Sequence, residues 1–519
     1  MRSTALAILC IGILGLGAYL TGMSPDDNAA VRIKLVDAAN GKGISGIVRL
    51  HREDDARPAK LPGLFNRLLG LKLPDDSSGW CVVPAGGALA TLPRARIQLE
   101  ALSGLETERV RLKVDLTRNA PEEIVVRVPF LFRPDERELV AGNTHLHLMK
   151  IGKKESDEYL RLVPAADGLR VMFISYLERY KDDAEYITNT YPVGDLAFKG
   201  SGVLYNNGEE YRHNFKAQGQ GYGHVMFLDM RKHILPASLG PGITGKGFDE
   251  KALAAGIDAA RKQGATIIWC HNSFGHEDVV NAIAGRLHAL NVFDGSRLGN
   301  YEESYYRYLN VGLHLPISTG TDWFLYDFAR VYVELPGEPT IRGWLDALKA
   351  GRNVISNGPI LALSVDGHRP GATLKLEKGK KLVIEASALG RHDFQNLQLV
   401  HNGKVIRSQR CSGKGRFTAS IKTEVRVDEP SWFAARIDGT AKNELDRPLY
   451  AHSSPVHVNV AGRRRFDVEA ARGLLKLIEE GQDAIRSQGH FSSDRSRDAV
   501  LARYEQAAND LRERLKRRE

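Results

Sequence analysis

The rhythm of apolar residues changes twice along this chain, and those changes restrict its fold more than any single motif. From about 30 to 135 the runs are short and alternating: "VRIKLVDA", "SGIVRLHR", "ARIQLEAL", "RVRLKVDL" and "EEIVVRVPF". A period of two puts one face of each strand in a core, with Gly, Pro, Asn and Asp marking turns, so this stretch predicts a small β-sandwich. From about 138 to 355, strand-like runs ("LRVMFIS", "GHVMFLDM", "ATIIWCHN", "HLPISTGTDW") alternate with helical segments near 155–167, 248–263, 277–288, 301–311 and 339–350. Alternating β and α implies a parallel arrangement, open or closed into a barrel. The polar connection 178–223 is long enough to be functional or to hold small elements of its own. From about 356 to 460 short β runs return ("ILALSVDG", "KLVIEASAL", "SPVHVNV"), predicting a second sandwich. The remainder, 465–519, reads as two helices. Leu474, Leu475, Ile478 and Ile485 stripe the first; Leu501, Tyr504, Ala508, Leu511 and Leu515 stripe the second. The expected fold class is multidomain, α/β plus all-β, ending in a helical hairpin.

With 519 residues, 43% hydrophobic and 26% charged, the chain is globular and too long for one core. Its net charge of +9 gathers late, in "AGRRRFD" (461–467) and "RERLKRRE" (512–519). A basic tail suits anionic lipid or an acidic partner, but a solvated helix face is the plainer reading. No basic-aromatic motif points to nucleic acid. At the other end Arg2 is followed by no charge until Asp26. That apolar run, residues 1–25, lies between the length of a signal-peptide core and that of a membrane span. It predicts export, periplasmic or extracellular, with the segment cleaved or kept as an N-terminal anchor that associates with the membrane. Beyond it only Cys81, Cys270 and Cys411 remain, too few for a disulfide framework.

Metal-capable residues gather at strand ends in the α/β region. His145 and His147 in "VAGNTHLHLM" come first; on a strand, i and i+2 share a face and can present two nitrogens to one point. Glu209 and Glu210 follow in "NNGEEYRH", then His224 in "GYGHVMFL", His271 and His276 in "WCHNSFGHED", and Asp322 in "STGTDWF". Taken singly, each is as easily a hydrogen-bonded core or cap residue. Together they offer N and O donors at several independent strand ends, where the loops of an α/β barrel converge. Cys270 is expected to point away from the face His271 uses. A His/Asp/Glu set without thiolate suits a divalent Zn, Mn or Fe ion at a hydrolytic centre. No Gly-x-Ser-x-Gly elbow supports a serine hydrolase.

The ordered set "GNTHLHL", "GEE", "GHVMFL", "IIWCHN" and "TGTDW" resembles the PHP (polymerase and histidinol phosphatase) superfamily of metal-dependent hydrolases. More narrowly it is similar to the carbaryl-hydrolase-like (CehA/McbA-type) branch, whose closing signatures resemble "GRNVISNGPILALSVDGHRPG" (351–371) and "AHSSPVHV" (451–458). The resemblance spans about 30–460. It implies a distorted (β/α)7 PHP-like barrel over 138–355, flanked by β-sandwiches over 30–135 and 356–460, with metals at the C-terminal mouth. It also implies that His145, His147, Glu210, His271 and Asp322 match ligand positions, with His224 a further ligand. His224 or His276 would protonate the leaving group. The implied activity is hydrolysis of an ester, carbamate, amide or phosphoester, in a small-molecule or envelope-derived substrate, with one to three ions. Two departures lower the expected number of ions. Asn143 stands where the family has Asp, and "ISYLERY" (174–180) replaces a Thr-Asp-His, leaving Glu178 as the one oxygen donor there. The alternative is a degenerate domain that binds a glycan or envelope polymer without catalysis.

Overall fold

The computed structural model describes residues 27–178, 186–216, 220–295 and 299–518; the apolar segment 1–25 lies outside them. The molecule is a mixed α/β structure of several sheets with a C-terminal pair of helices. In the N-terminal region Asn28–Asp37 pairs antiparallel to Ala88–Pro93 and parallel to Glu123–Val128. A five-stranded sheet runs Phe65–Asn66, Cys81–Val83, Gly46–Arg52, Arg96–Leu102, Val110–Asp115. The alternation seen in the sequence is realised here: Val31, Ile33 and Leu35 of one sheet share a core with Val48, Leu50 and Leu99 of the other.

The site-bearing region is laid down around Leu139–His147. This strand pairs parallel to Val171–Tyr176, which pairs parallel to Leu204–His213. Gly223–Leu228 then runs antiparallel both to Leu204–His213 and to Thr266–Trp269. The expectation of a parallel sheet fails at this strand for a simple reason. The link 214–222 is shorter than the dozen or so residues a parallel crossover needs. Thr266–Trp269, Ala289–Asn291 and Ile317–Ser318 continue in parallel, and Asp322–Trp323 returns to pair beside Leu146 and His147. The polar connection 178–223 thus contains a ten-residue strand, Leu204–His213.

Helices occur where the apolar pattern placed them, all but the first with shorter ends: Lys153–Ala166, Leu253–Lys262, Asp278–Ile283, Glu302–Asn310 and Ile341–Lys349. Helix 278–283 stops early because Gly285, at φ +66°, turns the chain. The last of these helices is capped by Thr340, whose hydroxyl accepts the Gly343 N–H at 3.0 Å. It is pinned by Trp344, whose indole N–H donates to the Val140 carbonyl.

One hydrogen-bonded ladder continues through residue 355. Asn353–Ser356 pairs with Arg330–Glu334 on one side and Ala451–Ser453 on the other. A separate sheet holds Ile360–Val365, Lys380–Gly390, Phe417–Val427 and Ser412–Gly413. Buried ion pairs join the regions. Arg67 of the N-terminal region grips Asp167 and donates to the Leu325 carbonyl. Arg330 pairs with Glu106, and Arg391 forks onto Glu444 while donating to the Gly104 carbonyl.

Helices Val468–Gln488 and Asp494–Lys516 form the expected hairpin, capped by Asp467 and Ser493. Leu474, Ile478, Ile485, Tyr504, Ala508, Leu511 and Leu515 are buried in the same core as the α/β region. The hairpin is also tied by polar bonds: Asp249 accepts the backbone N–H of His490 at 2.6 Å. Among the described residues no helix is long and apolar enough to cross a membrane.

Candidate metal centre

Seven side chains from six segments of the chain meet in the interior: His145, His147, Glu210, His224, His271, Asp294 and Asp322, all buried. Each arrives by a traceable local cause. His145 and His147 flank Leu146 on their strand, so both rings leave one face, with their Nε2 atoms 3.0 Å apart. Glu210 enters from the middle of Leu204–His213, its Oε2 3.1 Å from His147 Nε2 and 3.7 Å from His145 Nε2. Glu209, one residue earlier, faces the other way and bonds His233 at 2.8 Å. His224 stands at the start of its strand, not the end. Because that strand runs backwards, its start lies at the closing end of its neighbours, opposite Arg212. His224 Nδ1 is 2.7 Å from Glu210 Oε1, and His271 Nε2 is 3.4 Å from the same oxygen.

Two of the candidate ligands are presented by unusual backbone. His271, Asn272 and Ser273 are consecutive left-handed residues at φ +54°, +56° and +63°, and Asp322 lies at φ +63°. Non-glycine residues rarely adopt this region, and such strain concentrates at functional sites. Asp322 Oδ1 sits 3.4 Å from His145 Nε2 and 3.7 Å from His147 Nε2. Gly320 permits this approach: a Cβ there would come within 2.5 Å of His145 Cβ.

Outer hydrogen bonds decide which ring nitrogens carry protons. His147 Nδ1 donates to the Ser175 carbonyl at 3.0 Å, His145 Nδ1 to Asp294 Oδ2 at 2.8 Å, and His224 Nε2 to Asn214 Oδ1 at 2.9 Å. Each bond leaves the inward nitrogen as a lone pair. With all three rings neutral, their lone pairs face each other and the oxygens of Glu210 and Asp322, an arrangement that is repulsive unless a proton or a metal cation lies between them. Asp322 Oδ1, His224 Nδ1 and His271 Nδ1 are buried with no hydrogen-bond partner.

The titration of the cluster points the same way. Burial disfavours charge on His145, but Asp294 and Asp322 outweigh it and hold its pKa well above the ordinary value. Burial, reinforced by Glu210 and Asp294, pushes Asp322 up to about 7 against the pull of His145 and His271. Burial would raise Glu210 too, but the surrounding imidazoles hold it well below the carboxylate range. His147 and His224 are driven down to about 4, chiefly by burial. Glu210 and Asp294 thus favour positive charge beside them, which a proton on His145 or a bound cation would supply.

The donor atoms form overlapping sets that could hold a metal ion: His145, His147, Glu210 and Asp322 in one; Glu210, His224 and His271 in another. Glu210 belongs to both, one oxygen turned to each. The fit is chemical as well as geometric, since neutral imidazole and carboxylate donors suit Zn, Mn or Fe.

Six of the expected site residues are thus brought together, and one is not. His276 lies away from the cluster, its ring facing Phe215 and its backbone against Gly481 of the C-terminal hairpin. Glu178, the expected oxygen donor, instead accepts the Ala237 N–H at 2.7 Å and the Tyr176 hydroxyl. Asn143 does not face the ligands as a donor: its amide bonds Thr321 and the His145 backbone N–H. Asp294 was not anticipated, though "FDGS" places an Asp at the end of a strand just as "TGTDW" does. The expectation for Cys270 is corrected. Its sulfur lies within 4.8 Å of ring nitrogens of both His145 and His271. The rule of alternating faces does not carry from 270 to 271 because His271 has left the extended conformation. Of the aromatic residues near the centre, Tyr222, Trp269, Phe324 and Tyr326 are packing residues, buried throughout. Phe274 and Trp323 are half-buried beside His224 and His147. No family model matches this chain, and neither a curated protein nor a solved structure does.

Proposed function

We propose that the protein is an exported metal-dependent hydrolase of the PHP, carbaryl-hydrolase-like kind, acting on an ester, carbamate, amide or phosphoester. The observation that carries this reading is the set of inward lone pairs on His145, His147 and His224, each fixed by an outer hydrogen bond and aimed at Glu210. A distorted (β/α)7 barrel between two sandwiches fits the return of Asp322–Trp323 to the His-x-His strand and the paired sheets on either side.

In this reading His145, His147, Glu210 and Asp322 hold one ion and Glu210, His224 and His271 a second. Such ions, when bound, polarise the scissile bond and activate water. The chain's own residues orient and exclude. Asp294 keeps the His145 ring in its ligating tautomer, and Phe274 with Trp323 offers apolar walls to the non-reacting part of a substrate. Asn214 Oδ1 holds the Nε2–H of His224, which leaves Nδ1 as a lone pair and makes His224 a ligand rather than a proton donor.

The test is metal content of the purified protein by elemental analysis, with hydrolysis of a panel of aryl esters, carbamates, anilides and phosphoesters. About two transition-metal ions per chain are expected, lost together with hydrolysis in His145→Ala and reduced in His271→Ala. Wild-type protein free of transition metal, or metal-loaded protein inert on every bond class, would overturn the reading; the first result favours the binding protein.

A further inference from the structure

Among the described residues, Cys270 is the one thiol beside this cluster of nitrogen and oxygen donors. Its sulfur, one nitrogen of His145 and one of His271 lie within 4.8 Å of one another, all buried. A cysteine alone is no site, but a second observation stands beside it. His271 Nδ1 is buried without a hydrogen-bond partner, and His271 is only 6% exposed. The left-handed backbone at 271–273 takes His271 out of the strand's alternation, and one nitrogen of its ring lies within 4.8 Å of the Cys270 sulfur. The thiol's hydrogen bond to the Ile268 carbonyl is a long one, 3.8 Å, and is given up when the sulfur coordinates. Cys81 and Cys411, the other free cysteines of the described residues, lie in the strand Cys81–Val83 and between the strands Lys404–Arg410 and Ser412–Gly413. Neither competes for it as a disulfide partner.

Building on the metallohydrolase reading, we propose that Cys270 supplies a thiolate donor on the His145–His271 side of the centre, and that it selects a thiophilic ion, zinc, over manganese. Coordination replaces the S–H bond by an S–metal bond: the thiol proton leaves to solvent, the sulfur keeps the electron pair it donates, and no redox change occurs. Thiolate favours zinc because a soft, polarisable sulfur binds borderline-soft ions more strongly than the hard, oxygen-seeking manganous ion. Imidazole and carboxylate donors alone would leave that choice to availability.

The experiment is X-ray absorption at the zinc edge of the wild-type holoprotein, with near-ultraviolet spectroscopy after cobalt substitution. A sulfur shell at roughly 2.3 Å and a sulfur-to-cobalt charge-transfer band are expected. Cys270→Ser should lose both and weaken zinc relative to manganese by roughly tenfold or more, the scale on which even outer-shell changes act. A zinc spectrum showing only N and O neighbours, with no charge-transfer band, overturns the thiolate while leaving the metallohydrolase reading intact. Protein without metal overturns both. The wild-type spectra decide the matter even where Cys270→Ser fails to fold.

Discussion

Asp294→Asn is the most exacting perturbation of the centre, because it keeps shape and changes only charge and one donor. In the folded protein Asp294 Oδ2 accepts His145 Nδ1–H at 2.8 Å and the Asn291 side-chain N–H at 3.1 Å, while Oδ1 has no partner. The residue is fully buried. An asparagine oxygen at the Oδ2 position keeps both bonds but makes them neutral, which weakens the hold on His145 by about 1 kcal/mol. Its NH2 then occupies the Oδ1 position as a buried donor without an acceptor, costing about 1–3 kcal/mol. Flipping the amide satisfies neither, since it sets NH2 against the His145 N–H. The His145 lone pair also becomes less basic toward an ion. Removing such an outer partner typically lowers metal affinity about 10–100-fold, or about 1.4–2.7 kcal/mol. The assay is competition with a chromophoric chelator, run beside thermal melting of the metal-free protein. Asn variant protein that binds zinc within threefold of wild type, while Asp322→Asn binds weakly, would refute the assignment of Asp294 as the residue that sets the His145 tautomer.

Three further outcomes are expected. Gly320→Ala, whose new Cβ would meet His145 Cβ at 2.5 Å and its backbone N at 3.0 Å, should cost about 1–3 kcal/mol of stability and lower metal content; a melt and an elemental analysis check both. Arg67→Ala strands buried Asp167 and should cost about 3–5 kcal/mol in denaturant unfolding, whereas Arg67→Met with Asp167→Leu should recover much of that loss. Glu277 is pushed from 4.5 up to about 7 by burial, against the Leu253 and Ala254 N–H groups that it accepts. Its folded pKa lies above its unfolded one, so its contribution is fully present below about pH 4.5 and is lost as pH rises through 7, on the order of 3 kcal/mol at most. Glu277→Gln should therefore flatten the fall in unfolding free energy between pH 5 and pH 7, measured by denaturant titration across that window.

Much of the fold was legible because its signal is periodic. The alternating runs at Asn28–Asp37 and Glu123–Val128 became strands with every second residue buried, and the two terminal stripes became the hairpin core. The centre was legible where it obeyed the same periodicity, as at His145 and His147. It was hidden where function overrides pattern. Leu204–His213 reads as a polar loop in sequence because Glu210 and Arg212 fill inward positions that a packing strand would give to Val or Ile. Cys270 was misplaced because the extended conformation ends one residue later, and a left-handed histidine leaves no compositional trace. Asp294 follows a strand of only three residues, Ala289–Asn291, too short to show a period.

The dispersion of the ligands along the chain has a consequence in time. His145 and Asp322 share one set of donors yet are separated by 177 positions (322 − 145). At a ribosome's pace, about 5–20 residues per second, the first histidines wait roughly 9–35 s for the carboxylate that completes them. Asp249 waits longer still, for His490 of the hairpin. A half-made pair of imidazoles binds copper or nickel more readily than zinc or manganese, and only the finished set can reject them by geometry. An ion held by the finished set is therefore selected where folding ends, by the complete donor geometry, and not where the histidines are first made.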